Sequence, residues 1–94
     1  MISDSKISII EKYLKEIFDI EVADEGFVYL DVKDEYFDQV HDILIQYIDY
    51  VNNYNRTVFE IGYEDVGTFY IKFNQFTNDS LFEEKIRYLK TLLI

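Results

Sequence analysis

Ninety-four residues provide one hydrophobic core and no room for a second, so any catalytic site would have to share residues with the scaffold. Nineteen acids against nine bases give a formal net charge of −10, which repels nucleic acid and anionic membranes and attracts basic surfaces from a distance. A content of 49% hydrophobic and 18% aromatic residues excludes a disordered acidic chain, because disorder needs low apolar content as well as high charge.

Cysteine is absent, which excludes a disulfide framework and thiolate metal sites. No apolar run approaches the roughly 18 residues of a membrane span, and the opening "MISDSKISII" lacks the long apolar centre of a signal peptide. With no proline to mark a linker, the expectation is a single compact domain over residues 1–94, in the cytoplasm of a bacterial host cell.

In chain order, the first predicted element is a helix over residues 5–18, where Ile7, Ile10, Leu14 and Ile17 recur at helical spacing. Its polar side alternates sign, with Glu11–Lys15 and Lys12–Glu16 as i,i+4 pairs. "DIEVADEGFVYLDV" then reads as a hairpin around Asp24-Glu25-Gly26, the glycine taking the left-handed position of a bulged turn. An odd loop of this kind pairs Val22 with Val28 and Ile20 with Leu30, and puts Glu21, Phe27, Tyr29 and Asp31 on the other face.

A second helix is predicted over residues 34–52. Its wheel places Tyr36, Val40, Ile43, Leu44, Tyr47 and Val51 on one side and Glu35, Asp38, Asp42 and Asp49 on the other, with His41 at the boundary. "TVFEIGYEDVGTFYIKF" forms the second hairpin around Gly67, pairing Phe59, Ile61 and Tyr63 with Phe73, Ile71 and Phe69. A last helix starts near Asn78 or Ser80, with Ser80 and Glu83 as a capping box, Glu83–Arg87 as a surface pair, and Phe82, Ile86, Leu89 and Leu93 as its buried stripe. The class is α+β: helix-hairpin-helix-hairpin-helix, an antiparallel four-stranded sheet packed by three helices. "DEGFVYLDV" and "DVGTFYIKF" also align at an offset of 41 residues, the pattern a duplicated unit would leave.

The charge is central. Residues 19–71 hold thirteen acids against Lys33 and Arg56 alone, while the two ends hold six acids against seven bases. The outer helices can compensate their charges and the middle one, with no lysine or arginine, cannot. Uncompensated like charges at i,i+3 and i,i+4 destabilise a helix, so a binding role is the reading that explains them. Along a helix, steps of three and four residues rise about 4.5 and 6 Å, comparable to the spacing of phosphates along a nucleic-acid strand.

A second candidate surface is the outward side of the hairpins, with Phe27, Tyr29, Tyr63 or Tyr70 beside Glu21, Asp31 and Glu60. Tyrosines among carboxylates suit a protein interface, since the rings supply contact area and the acids steer basic partners. Three helices could cover both sides of a four-stranded sheet, so the sequence leaves open whether this face is free.

Chemistry for catalysis is sparse. There is no thiol and one histidine, so neither nucleophilic catalysis nor a zinc site is expected. No calcium-loop pattern or phosphate-cradling glycine loop occurs, and no cofactor or metal is implied.

In style the chain resembles the small acidic inhibitors that phages and mobile elements direct against nucleic-acid-handling enzymes: anti-CRISPR proteins, anti-restriction DNA mimics and uracil-DNA glycosylase inhibitors. The acid-rich, cysteine-free composition and the acidic run from Asp31 to Asp49 carry the resemblance. It implies a non-enzymatic inhibitor occupying a basic nucleic-acid-binding surface of a bacterial enzyme, with a CRISPR effector as the leading target and no direct contact with nucleic acid or membrane. On that reading Glu35, Asp38, Asp42 and Asp49 stand in for phosphates, Asp31 and Glu60 add charge, and Tyr29 and Tyr70 anchor the partner. Two other expectations stand beside it: an immunity protein neutralising a cognate nuclease toxin, and an interaction domain whose acidity serves solubility. Self-association through an exposed sheet is a further alternative.

Overall fold

A computed structural model describes residues 4–55 and 57–94. The N-terminal residues, on which the signal-peptide reading partly rests, and Arg56, one of the two central bases, lie outside the described residues. The fold is α+β, with three α-helices and a four-stranded antiparallel sheet: α1 (Asp4–Leu14), β1 (Phe18–Asp24), β2 (Phe27–Val32), α2 (Phe37–Asn55), β3 (Phe59–Asp65), β4 (Thr68–Phe73) and α3 (Asp79–Leu93). The strands lie in the order β1-β2-β4-β3. The sheet is one continuous ladder, joined across β2 and β4, and a description by separate hairpins misses that central pairing.

α1 ends at Leu14, short of the predicted residue 18. Ile17 donates its N–H to the Leu14 carbonyl at 3.1 Å, turning the chain so that Phe18 opens β1. The alternation Phe18, Ile20, Val22 begins there, and the strand period overrides the helical one.

A 3-10 turn over Asp34–Tyr36 precedes α2, which runs past the predicted end to Asn55. The wheel of α2 needs a second correction. Val40, His41, Leu44, Val51 and Asn55 are buried, whereas Ile43 and Tyr47 are 36% and 40% exposed. α2 carries apolar side chains on several sides, Ile45, Tyr50 and Tyr54 included, so its hydrophobic direction is weakly defined by composition and is fixed by packing on β3.

α3 buries Phe82, Ile86, Leu89 and Leu93, but Asn78 caps it, accepting from the Leu81 N–H at 3.1 Å, in place of a Ser80–Glu83 box. Glu83 is turned instead toward α1, where it accepts from Lys12 at 2.9 Å and from the Tyr13 hydroxyl. Glu16, past the end of α1, accepts from Tyr36 at 2.9 Å and from Lys90 at 3.5 Å in place of the predicted Lys12 pair, and Lys6 of α1 meets Asp79 of α3 at 2.7 Å.

These contacts hold Glu83, Glu16 and Asp79 below their usual carboxylate values, chiefly through the Tyr13 hydroxyl, the Tyr36 hydroxyl and the Lys6 ammonium respectively. A depressed folded pKa contributes stability above the unfolded value and loses it as pH falls through the folded one. The triple variant Glu16→Gln/Asp79→Asn/Glu83→Gln should therefore lose less stability than the native chain as pH falls below about 4.5. Thermal melts of the two proteins across this range test it, and parallel acid profiles would refute the assignment.

Both hairpins have the predicted registers: Val22 faces Val28 and Ile20 faces Leu30, while Tyr63, Ile61 and Phe59 face Phe69, Ile71 and Phe73. Gly26 and Gly67 have φ of 67° and 81°, and the register shifts by a residue beside each turn. Their surroundings differ. A Cβ on Gly26 would lie 2.8 Å from the Phe73 carbonyl oxygen, while one on Gly67 meets nothing closer than the Phe37 ring at 3.4 Å. Alanine at either site should cost roughly 1 kcal/mol for the left-handed backbone. Gly26→Ala should cost distinctly more, because backbone must move. Urea midpoints of the two variants decide this, and equal losses would show that the Gly26 approach relaxes freely.

The chain is a structural repeat. Shifting β1 and β2 by 41 residues reproduces the bounds of β3 and β4, and the end of α1 at Leu14 falls on the end of α2 at Asn55. The hydrogen bonds repeat as well. Lys33 N–H to Ile17 C=O corresponds to Asn74 N–H to Val58 C=O, both 2.9 Å, and the Gly26 and Gly67 carbonyls accept from Phe73 and Val32, both at 2.8 Å. Tyr29 pairs with Tyr70, its own repeat equivalent, so an approximate twofold axis passes through the middle of the sheet.

The helices pack on one face of that sheet, over Val28, Leu30, Ile61, Phe69 and Ile71, which are at most 1% exposed. Among the described residues no helix covers the opposite face.

Candidate functional site

The acids of the middle segment occupy the outer side of the helical layer. Glu35, in the 3-10 turn, and Asp38, Asp42 and Asp49, on α2, are all exposed. Asp34, Glu35 and Asp38 sit at the start of the helical segment, where the dipole favours them. The tighter 3-10 turn stretches the axial step from Glu35 to Asp38 beyond the about 4.5 Å of a continuous α-helix. From Asp38 to Asp42 the rise is about 6 Å and from Asp42 to Asp49 about 10.5 Å. Ile45, 42% exposed, sits between the last two.

No lysine or arginine among the described residues lies within ion-pair distance of these four carboxylates, whereas Asp79, Glu83 and Glu16 of the outer elements all have cationic partners. Asp42 touches His41 Nδ1 at 3.0 Å. His41 itself is buried, stacked on Phe37 with centroids 4.5 Å apart, and its Nε2 has no hydrogen-bond partner. It belongs to the packing side of α2 and not to the boundary that the wheel predicts.

The other predicted residues, Tyr29, Asp31, Glu60 and Tyr70, lie on the open face of the sheet. The predicted set is thus divided between two surfaces on opposite layers. Cross-strand pairing arranges the open face in rows: Glu21, Tyr29, Tyr70 and Gly62 in one, Phe27, Lys72 and Glu60 in the next, Asp19, Asp31 and Thr68 in a third. Phe27 stacks on Tyr70 at 5.3 Å and meets Tyr29 edge-on at 5.2 Å. The Tyr70 ring lies over Gly62, filling the space where a Cβ would be. Lys72 Nζ stands 5.9 Å from the Phe27 centroid and 5.8 Å from that of Tyr70, so the aromatic cluster already attracts a cation. Asp31 is tied down, accepting from the Thr68 hydroxyl at 2.7 Å, and Glu60 lies opposite Lys72. Tyr63 is not on this face; its register puts it on the helical side, against Phe69 and His41.

Two exposed aromatic features escape a sequence reading. Tyr47, Tyr50 and Tyr54 run along α2 at i, i+3 and i+7, and the last two meet Tyr88 of α3, with the Tyr50 and Tyr88 hydroxyls 3.0 Å apart. That spacing is a signal in the sequence, masked because Tyr47 also fits the predicted buried stripe of the helix. Phe76, in the turn before α3, is 96% exposed, its N–H held by the Asn74 side chain at 2.9 Å. Nothing in the sequence distinguishes it from a core phenylalanine.

Among the described residues, no group of three His, Asp or Glu side chains is placed to hold a metal ion, and no helix is long and apolar enough to cross a membrane. No protein-family model, curated protein or solved structure matches the chain.

Proposed function

We propose that this chain is a binding protein without catalytic activity, which inhibits a bacterial nucleic-acid-handling enzyme by occupying its basic nucleic-acid-binding surface. A CRISPR effector is the leading target class. The observation that carries this reading is the outer face of the helical layer, where Glu35, Asp38, Asp42 and Asp49 are exposed with no lysine or arginine beside them among the described residues. A protein that pairs Glu16, Asp79 and Glu83 of its outer elements with lysines, and leaves this row without one, has there the electrostatics of a ligand for cations. The steps along α2 are of the same order as phosphate spacing, so lysines and arginines arranged for a nucleic-acid strand can meet the row.

Occupying the surface as a stoichiometric competitor requires no bond to be made or broken, and a chain without a thiol and with a single imidazole fits that role. The test is an interference assay: cells carrying a targeting CRISPR effector are transformed with a matching plasmid, with and without the chain expressed. Rescue of transformation, with purified chain abolishing DNA binding by the purified effector, is the expected result. No rescue across a panel of CRISPR effectors and restriction nucleases would overturn the reading.

A further inference from the structure

The two edges of the sheet are treated differently, and the repeat makes the difference readable. At the β3 edge, the Asn52 side chain closes the ladder: its Nδ2 donates to the Ile61 carbonyl at 2.8 Å and its Oδ1 accepts from the Ile61 N–H at 2.7 Å. The equivalent position 41 residues earlier is Glu11, and the equivalent of Ile61 is Ile20 on β1. An ionised carboxylate only accepts, so Glu11 cannot make the paired contact that the asparagine makes. The matching registers Ile20–Leu30 and Ile61–Ile71 point the N–H and C=O of Ile20 outward, away from β2. Ile17 agrees, since one parity back its carbonyl points inward to Lys33. Among the described residues no hydrogen bond reaches the outward groups of Ile20 or Val22. Ile61 is buried under α2, while Ile20 is only half-buried and Val22 is 42% exposed.

We propose that β1 is a docking edge for an extended segment of the partner, which adds to the sheet as a fifth strand whose side chains alternate basic and apolar. Charge selects this occupant. The β1 side chains on the open face are Asp19 and Glu21, both exposed, and those on the other face are Ile20 and Val22. A second copy of β1 would set these acids against themselves, and like charges directly opposite destabilise a pair. A strand bearing lysine or arginine opposite Asp19 and Glu21, with β-branched residues opposite Ile20 and Val22, satisfies both faces and the free backbone groups together. An arginine opposite Glu21 extends the row that contains Tyr29 and Tyr70. The proposal rests on the reading above only in that the partner is basic; the surface is a different one.

The test is a titration of isotope-labelled protein with a blocked heptapeptide of alternating lysine and valine, followed by amide chemical shifts and hydrogen exchange. The expected result is a saturable shift and slowed exchange at Ile20 and Val22, no change at Ile61, and at least about tenfold weaker binding by Asp19→Lys/Glu21→Lys, with all effects reduced above about 0.15 M salt. A glutamate–valine peptide should not bind. Shifts confined to Asp38, Asp42 and Asp49 would overturn the docking edge and leave the basic-partner reading standing. No shifts anywhere at low salt would overturn the edge, while the interference assay judges the other reading separately. Shifts at Ile20 and Val22 that depend on protein concentration without peptide would replace the basic strand by a second copy.

Discussion

Phe82→Ala should be the most damaging single substitution in the core, lowering stability by about 3–5 kcal/mol. Phe82 is fully buried, and its ring lies 6.3 Å from that of Phe59 and 5.4 Å from that of Phe73, with Lys6 Nζ 5.7 Å from its centroid. It is thus the point where α3 meets β3, β4 and α1. The neighbouring aromatic rings are themselves held by the sheet, so they cannot collapse into the space, and the cavity term adds to the lost transfer energy. A domain of this size has a total stability of order 5–15 kcal/mol, so the variant should be partly unfolded at modest urea. The matched control is Phe76→Ala, because Phe76 is 96% exposed and makes no comparable contact; it should change stability by less than about 0.5 kcal/mol. Urea denaturation of both variants measures the contrast. A loss below about 1.5 kcal/mol for Phe82→Ala would mean that this region repacks as a fluid core would.

The strands, their registers and both turn glycines were legible because period-two alternation and a left-handed glycine are local signals that leave little freedom. The rotation of α2 was not. With Ile43, Ile45, Tyr47, Tyr50 and Tyr54 all outside the buried stripe, the helix is apolar around most of its circumference, and only contact with β3 selects Val40, Leu44 and Val51. The ion pairs failed for a related reason. Glu11–Lys15 and Lys12–Glu16 satisfy the i,i+4 rule, but exposed intrahelical pairs are worth only tenths of a kcal/mol, and the packed helices offer Lys12, Lys6 and Lys90 partners that also gain hydroxyl and helix-end contacts, while Arg87 acts on Glu83 only as a more distant charge. Which side of the sheet stays bare depends on how the helices divide between its faces, and no local pattern encodes that division. The 41-residue repeat is visible in the sequence of the hairpins alone. Its extension to Ile7–Ile48 and Tyr13–Tyr54 is readable only once the ends of α1 and α2 are seen to correspond.

Neutralising the acidic row together, as Glu35→Gln/Asp38→Asn/Asp42→Asn/Asp49→Asn, should abolish rescue in the interference assay and weaken binding to the purified target by several kcal/mol, within the range measured for close charge pairs across interfaces. The fold should be nearly indifferent. Relief of the Glu35–Asp38 and Asp38–Asp42 repulsions returns about 0.2–0.5 kcal/mol each, while loss of the acids at the helix start removes a similar amount of dipole stabilisation, about 0.3–1 kcal/mol. Asparagine at position 42 keeps an oxygen for His41. Lost binding with an unchanged melting temperature is therefore specific to the surface. The comparison variant, Glu11→Gln/Glu16→Gln/Glu83→Gln/Glu84→Gln, removes the same formal charge but takes the charge out of the contacts of Glu16 with Lys90 and Glu83 with Lys12 and weakens the hydrogen bonds from Tyr36 and Tyr13, so it should lose stability and retain binding. Salt should slow the association of the native chain and have a smaller effect on the row variant, as screening of long-range steering requires. Equal loss of binding in both variants would mean that net charge acts and the row does not. Retention in both would move the interface to the open sheet face, where Tyr29→Ala and Tyr70→Ala would have to show the loss instead.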